Sequence, residues 1–267
     1  MGKSRRNFLK GIGFATAAAG LGFSFPLLRA LASSGAASHG EGETLSTQLG
    51  MVVDIKKCLD ENVRRACASA CHLEHNVPEI PDTAEEIKWI WSEDYKTVFP
   101  DQAHARTADM YKDKPVLVLC NQCAKPACAK VCITGATFKR ESDGIVMIDM
   151  HRCVGCRFCI AACPYGARSF NFRDPRPALA RKGTLREDYP TRVKGAVEKC
   201  TFCVERLREG REPACVEAVK QVPGGEGALT FGDLSDPDSE VSRLLREKHT
   251  ICRRVGLGFG PNVFYIV

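Results

Sequence analysis

The chain has 267 residues, 15 of them cysteine, with 44% hydrophobic and 26% charged residues; this excludes a disordered chain and leaves room for one large domain or two small ones. The formal net charge of +6 suggests a nucleic-acid binder only until it is located, because Lys3, Arg5, Arg6, Lys10 and Arg29, with no acid in residues 1–32, carry five of the six charges. The remaining body stands at about +1, a poor electrostatic footprint for DNA or RNA.

The chain opens with Ser4-Arg5-Arg6-Asn7-Phe8-Leu9-Lys10, followed by an uncharged, Ala- and Gly-rich stretch from Gly11 to Leu28. This resembles the twin-arginine export signal, and Ala30-Leu31-Ala32 fits a small-x-small cleavage site. The segment is either cleaved there or retained as an anchor. That route carries folded proteins, typically with a cofactor already inserted. Export therefore points to a metal centre built in the cytoplasm and to a periplasmic location. Residues 33–50 read as a linker.

In an exported chain, many cysteines ordinarily mean disulfides. The odd count, the length and above all the spacing argue otherwise. Cys153-x2-Cys156-x2-Cys159-x3-Cys163-Pro164 is the bacterial ferredoxin pattern for a 4Fe–4S cubane. Its first three thiolates wrap one cluster, while the fourth points to another. Gly155 lets backbone amides approach the sulfurs. The partner run is Cys120-x2-Cys123-x4-Cys128-x3-Cys132, and the two continue alike as Cys132-Ile-Thr-Gly135-Ala136 and Cys163-Pro-Tyr-Gly166-Ala167. Between them Gly144–Asp149 predicts a short strand entered by a turn at Asp143-Gly144. Crossing the fourth ligands gives one cluster on Cys120, Cys123, Cys128 and Cys163, and another on Cys153, Cys156, Cys159 and Cys132. Paired CxxC motifs also hold zinc, but zinc needs neither the third cysteine two residues on nor the fourth before proline.

A third run, Cys200-x2-Cys203-x11-Cys215, has Val219 where a fourth cysteine is expected. A further group, Cys58-x8-Cys67-x3-Cys71, lacks one ligand of the regular pattern. The chain here resembles the four-motif ferredoxin-like subunits of respiratory oxidoreductases, such as the electron-transfer subunits of polysulfide reductase, nitrite reductase and formate dehydrogenase. The resemblance spans about residues 51–247, from Asp54-Ile-Lys-Lys-Cys58 to Phe231-Gly232-Asp233-Leu-Ser-Asp236-Pro237. Such subunits usually hold four cubanes, the outer two shared between the first and last motifs. By that rule one outer cluster takes Cys71, Cys200, Cys203 and Cys215. The other would need Cys58, Cys67 and two ligands that are missing, one of them at Val219. The resemblance thus implies three 4Fe–4S clusters on twelve cysteines and one abandoned site, leaving Cys58, Cys67 and Cys252. Cys58 and Cys67 could form a disulfide, and Cys252 could pair with either or be a buried thiol. Cys67-Ala-Ser-Ala-Cys71-His72 approaches a c-type haem motif with one residue too many.

Within this family the altered first motif, His72-Leu-Glu-His-Asn-Val-Pro78, Asp149-Met-His-Arg-Cys153 and Ser169-Phe-Asn-Phe-Arg-Asp174 are similar to the DsrO-type periplasmic iron–sulfur subunits of DsrMKJOP, heterodisulfide-reductase-like menaquinol oxidoreductase complexes. That resemblance implies a role in sulfur metabolism, with an integral membrane quinone-interacting subunit and a multihaem cytochrome c as partners. It implies electron transfer without substrate chemistry on this chain. The alternatives are the electron-transfer subunit of a molybdopterin oxidoreductase and a zinc-bound structural protein.

Elsewhere, Ile87-Lys-Trp-Ile-Trp91, Tyr95 and Phe99 in the 72–119 insertion predict core packing over the clusters, with docking as the alternative. Residues 173–199 read as a basic loop and 239–247 as a short amphipathic helix. His72, His75 and His151 lie near cysteines as supporting or surface groups. The expected fold is α+β, a loop-rich tandem ferredoxin-like core over residues 51–247 with a C-terminal extension at 248–267. Three oxidised cubanes, each formally about −2, take the exported body from about +1 to about −5.

Overall fold

Strand β1 (Leu49–Asp54) carries Met51, Val52 and Val53, β-hydrophobes buried on both faces, as a central strand requires. The computed structural model describes residues 47–102 and 110–267, so the export signal at 1–32 and most of the expected linker lie outside the described residues. The strand begins inside that linker, at Leu49. It pairs antiparallel with β8 (Leu229–Asp233), Met51 opposite Phe231, and parallel with β10 (Val263–Ile266), Met51 opposite Val263. A short edge strand, β9 (Thr250–Ile251), completes the order β8-β1-β10-β9. Residues 248–267, expected as an extension, therefore supply two strands to this sheet, and Tyr265 is fully buried in the core.

A 3-10 turn at Lys57–Leu59 leads to helix α1 (Glu61–Glu74). Its start is fixed by Asp60, which accepts a hydrogen bond from the Asn62 amide at 2.8 Å, a cap contributing about 1 kcal/mol. Val63, Cys67 and Cys71, spaced four apart, form the buried stripe of α1. Strands β2 (Ile90–Asp94) and β3 (Pro115–Leu119) pair antiparallel, Trp91 facing Val118, with helix α2 (Tyr95–Val98) between them. Trp89, Tyr95 and Phe99 are buried in the core, and Trp91 packs against it half-buried. Tyr95 stacks on Tyr111 with centroids 4.7 Å apart, and Phe99 meets Tyr265 edge-on at 5.1 Å.

The two central cysteine runs build matching units. Helix α3 (Ala127–Lys130) precedes β4 (Thr137–Lys139), which pairs with β5 (Val146–Ile148). Helix α4 (Phe158–Ala162) precedes β6 (Ser169–Phe170), which pairs with β7 (Val197–Glu198). The helices α3 and α4 pack together. The segment expected as a basic loop contains a helix, α5 (Arg176–Lys182). Pro175 and Pro177 fit its first turn and Gly183, at φ +70°, closes it, signals hidden by the surrounding charge. Helices α6 (Val204–Arg208) and α7 (Ala214–Val219) follow, and α7 packs on α1. Helix α8 (Glu240–Glu247) starts where expected, with Ser239 Oγ accepting from the Ser242 amide. The result is mixed α and β and rich in loops.

Candidate metal centres

Each of the three runs that contain Cys-x2-Cys makes the same backbone turn. The residue before its second cysteine is left-handed: Gln122 at φ 44°, Gly155 at 69° and Phe202 at 55°. Two of these are not glycine, and a bulky side chain there costs of order 1–3 kcal/mol, a strain that clusters at functional sites. Gly155 has a second reason to be glycine, since a Cβ would stand 2.3 Å from the Gly195 carbonyl oxygen. The turns aim amides at sulfur: Phe202 N lies 3.5 Å from Cys200 Sγ and Ala214 N 3.4 Å from Cys203 Sγ. Thr137 N lies 3.3 Å from Cys132 Sγ. Cys58, by contrast, sits on a 3-10 turn leading into α1.

The turns gather twelve thiols into three neighbourhoods. In the middle one, burial pushes Cys123 up to about 12, helped by Cys120, Cys128 and Cys163 around it. In the surface one, Cys132, Cys153, Cys156 and Cys159 line one recess. Cys156 is exposed there, and Val154 and Phe158 beside it are 65% and 56% exposed. In the inner one, burial and then Cys200, Cys203 and Cys215 raise the Cys71 thiol well above its ordinary value, with Arg192 opposing. Cys159 of the surface group neighbours Cys128 of the middle group, and Cys120 of the middle group neighbours Cys200 of the inner group. The three are arranged surface, middle, inner.

Buried thiols that crowd one another resist ionisation, so such groupings suit a positively charged soft metal group that takes thiolates. Among the described residues, no three His, Cys, Asp or Glu side chains converge as a single ion requires. The surface sulfurs line one recess, and the middle and inner sulfurs crowd one another in groups. Unpartnered buried polar atoms, Thr201 Oγ1 and Arg168 Nη2 among them, stand ready for a group bearing acceptors. The donor set fits 4Fe–4S clusters.

Cys58 and Cys67 are both fully buried and adjacent, and Cys58 adds to the larger effect of burial that raises the Cys67 thiol. Val219 is fully buried in the same core. All fifteen cysteines are free thiols, so neither Cys58 nor Cys252 is disulfide-bonded in the structure. Cys252 is half-buried, its thiol pushed up to about 11 by burial.

The histidines divide as well. His151 is on the surface, and His72 is half-buried. His75 is buried with Nε2 3.0 Å from Cys203 Sγ, stacked on Trp89 at 4.6 Å. Burial first, then Arg192, hold its pKa down to about 3, so the imidazole is neutral. Beneath it runs a network whose parts lie far apart in sequence and carry no motif. Arg192 and Glu198, both fully buried, pair at 2.6 Å, and Glu198 accepts from Trp89 Nε1 at 2.6 Å. Lys199, also buried, donates to the carbonyls of Val146 and Cys200.

Among the described residues, no helix is long and apolar enough to cross a membrane. The 4Fe–4S dicluster domain family matches residues 116–178. Over 240 residues the chain is 42% identical to the Hdr-like menaquinol oxidoreductase iron-sulfur subunit 1 of Archaeoglobus fulgidus, covering 80% of this chain and 81% of that protein. It is 36% identical over 240 residues to the menaquinone reductase iron-sulfur cluster-binding subunit of Nitratidesulfovibrio vulgaris, covering 81% and 88%. It is 31% identical over 269 residues to a tetrathionate reductase subunit of Salmonella typhimurium, covering 100% and 89%. Thiols gathered by ferredoxin-type turns and these likenesses agree: the chain belongs to the family of iron–sulfur electron-transfer subunits of menaquinol oxidoreductases and related reductase complexes.

Proposed function

We propose that the chain holds three 4Fe–4S clusters in a tandem ferredoxin-like core and relays electrons between a membrane quinone-interacting subunit and a cytochrome c partner of a sulfur-metabolism respiratory complex. The ligands are Cys132, Cys153, Cys156 and Cys159 at the surface, Cys120, Cys123, Cys128 and Cys163 in the middle, and Cys71, Cys200, Cys203 and Cys215 inside. The observation that carries this reading is the left-handed turn repeated in three cysteine runs and absent at Cys58. When bound, such clusters supply reversible one-electron transfer.

The chain's own residues do the rest. Backbone amides at Thr137, Phe202 and Ala214 donate toward sulfur and stabilise thiolate charge. Burial of the four inner thiols keeps water away, while the middle thiols are half-buried. Val154 and Phe158, flanking exposed Cys156, make the surface end the port for a redox partner, because the electron must cross there with least protein between centres. All four thiolates of each group are used, so no position is left open for substrate.

A molybdopterin-oxidoreductase subunit is the second reading, favoured by the likeness to the tetrathionate reductase subunit along the whole chain. The subunits that co-purify with the detergent-solubilised complex separate the two. We also infer that the twin-arginine start exports the folded, loaded chain. Replacing Arg5 and Arg6 with lysine should then leave it in the cytoplasm on fractionation.

Metal and acid-labile sulfide analysis of anaerobically purified protein tests the cluster reading. Three cubanes require about twelve irons and about twelve sulfides per chain. Zinc without sulfide would refute it.

A further inference from the structure

The middle and surface groups share one buried cation. Arg168 is 5% exposed. It follows Gly166-Ala167 after Cys163 as Thr137 follows Gly135-Ala136 after Cys132, so the two residues are mates in the internal repeat. They meet in space, Arg168 Nη1 donating to Thr137 Oγ1 at 3.1 Å. The repeat thus has a polar seam between its halves, filled by arginine on one side and threonine on the other.

Sulfurs, not carboxylates, surround the guanidinium. Burial by itself disfavours its charge, and Cys128 of the middle group, Cys159 of the surface group and then Cys120 act in the opposite direction. Its Nη2 is buried without a hydrogen-bond partner. A buried guanidinium with no carboxylate and a spare donor is costly unless negative charge and acceptors arrive from the neighbouring groups. The inner group is different. Its thiols face Arg192 and His75, and Arg168 is not among the groups that influence Cys71, Cys203 or Cys215.

We propose that Arg168 is a positioning residue for two redox centres at once: anchored on Thr137, it presents positive charge and N–H donors to the middle and surface clusters and raises the potential of both together. This rests on the three-cluster reading above. The physics is direct. Reduction adds one negative charge to a cluster, and a buried cation beside it stabilises the reduced form, little screened by salt. Hydrogen bonds to sulfur act in the same direction. One guanidinium serving both clusters shifts the two potentials together, so it adds no step to the electron's path between middle and surface.

The test is an EPR-monitored potentiometric titration of the full-length protein as wild type, Arg168→Gln and Arg168→Lys, with iron measured on each sample. Arg168→Gln should lower two of the three midpoint potentials, each by about tenfold in the reduction equilibrium, which is about 59 mV for one electron. The third should stay in place. Arg168→Lys keeps the charge but loses the fork, and should shift the same two potentials in the same direction by less. If the glutamine variant does not load its clusters, the lysine variant alone decides. Full iron with no potential moved, with only one moved, or with all three moved equally overturns the role of Arg168 and leaves the cluster reading standing. A wild type without about twelve irons overturns both.

Discussion

His75 places Nε2 3.0 Å from the sulfur of Cys203 while its Nδ1 is buried without a partner. A neutral imidazole has one N–H, and once Cys203 ligates a cluster as a thiolate its sulfur can only accept. The donor therefore belongs to Nε2, and the stack on Trp89 fixes its aim.

Replacing His75 with Phe removes that donor and keeps a ring on Trp89. Hydrogen bonds to a cluster's sulfurs raise its potential. The variant should therefore lower one midpoint potential, that of the inner cluster, leaving the other two and the iron content unchanged. Potentiometric EPR separates this outcome from simple misfolding, which would lose iron.

Glu198→Gln leaves Arg192 fully buried without its carboxylate. Breaking a buried pair on one side costs about 3–5 kcal/mol. Thermal unfolding of the anaerobic protein should show the loss as a clear drop in Tm. An unchanged Tm would mean that the pair is not closed in solution.

Gly155→Ala drives a Cβ to 2.3 Å from a backbone oxygen at a left-handed position. Backbone cannot yield as a side-chain tip does, so the loop carrying Cys153 and Cys156 must move. Iron should fall from about twelve toward about eight per chain, with the surface cluster's EPR signal the one lost.

Cys58 sets an alkaline limit. Burial, then Asp54, raise its thiol from 9.0 to about 12. The folded state holds the proton that the unfolded chain releases, so this stabilisation is whole below pH 9 and declines as pH rises from 9 toward 12. The slope is at most about 1.4 kcal/mol per pH unit. Cys58→Ala should start less stable, because it leaves a small cavity, yet lose Tm less steeply between pH 9 and 10.5 than wild type.

Eight of the twelve cysteines that come together, those of the two central runs, were legible because cluster ligation imposes spacing, and spacing survives in one dimension; Cys71 with Cys200, Cys203 and Cys215 followed only from the family resemblance. The crossing of Cys163 and Cys132 between units follows from the same pattern. Arg168, Arg192, Glu198 and Lys199 were not legible. Their roles arise from burial among partners dozens of residues away, and a lone basic residue in sequence resembles any solvated one. Arg168 left one clue, its equivalence to Thr137 in the repeat. The pairing of β1 with β10 was hidden for the same reason, since a parallel contact between residues 51 and 263 has no local signature. The α5 helix was masked by its Arg- and Pro-rich surroundings, although Pro175 and Gly183 marked both ends.

The abandoned site is a matter of packing as well as of missing ligands. Cys58, Cys67 and Val219 lie in continuous core with Val63 and Tyr265. Val219→Cys alone should therefore leave iron at about twelve per chain, because the first motif still lacks a ligand.

The most direct measurement compares iron and acid-labile sulfide per chain in the wild type and in a Cys58→Ser, Cys67→Ser double variant, with Cys71→Ser as the control. Three clusters on the twelve assigned ligands predict about twelve irons in the first two and about eight in the third. About sixteen irons in the wild type, or a loss of about four in the double variant, would contradict the account.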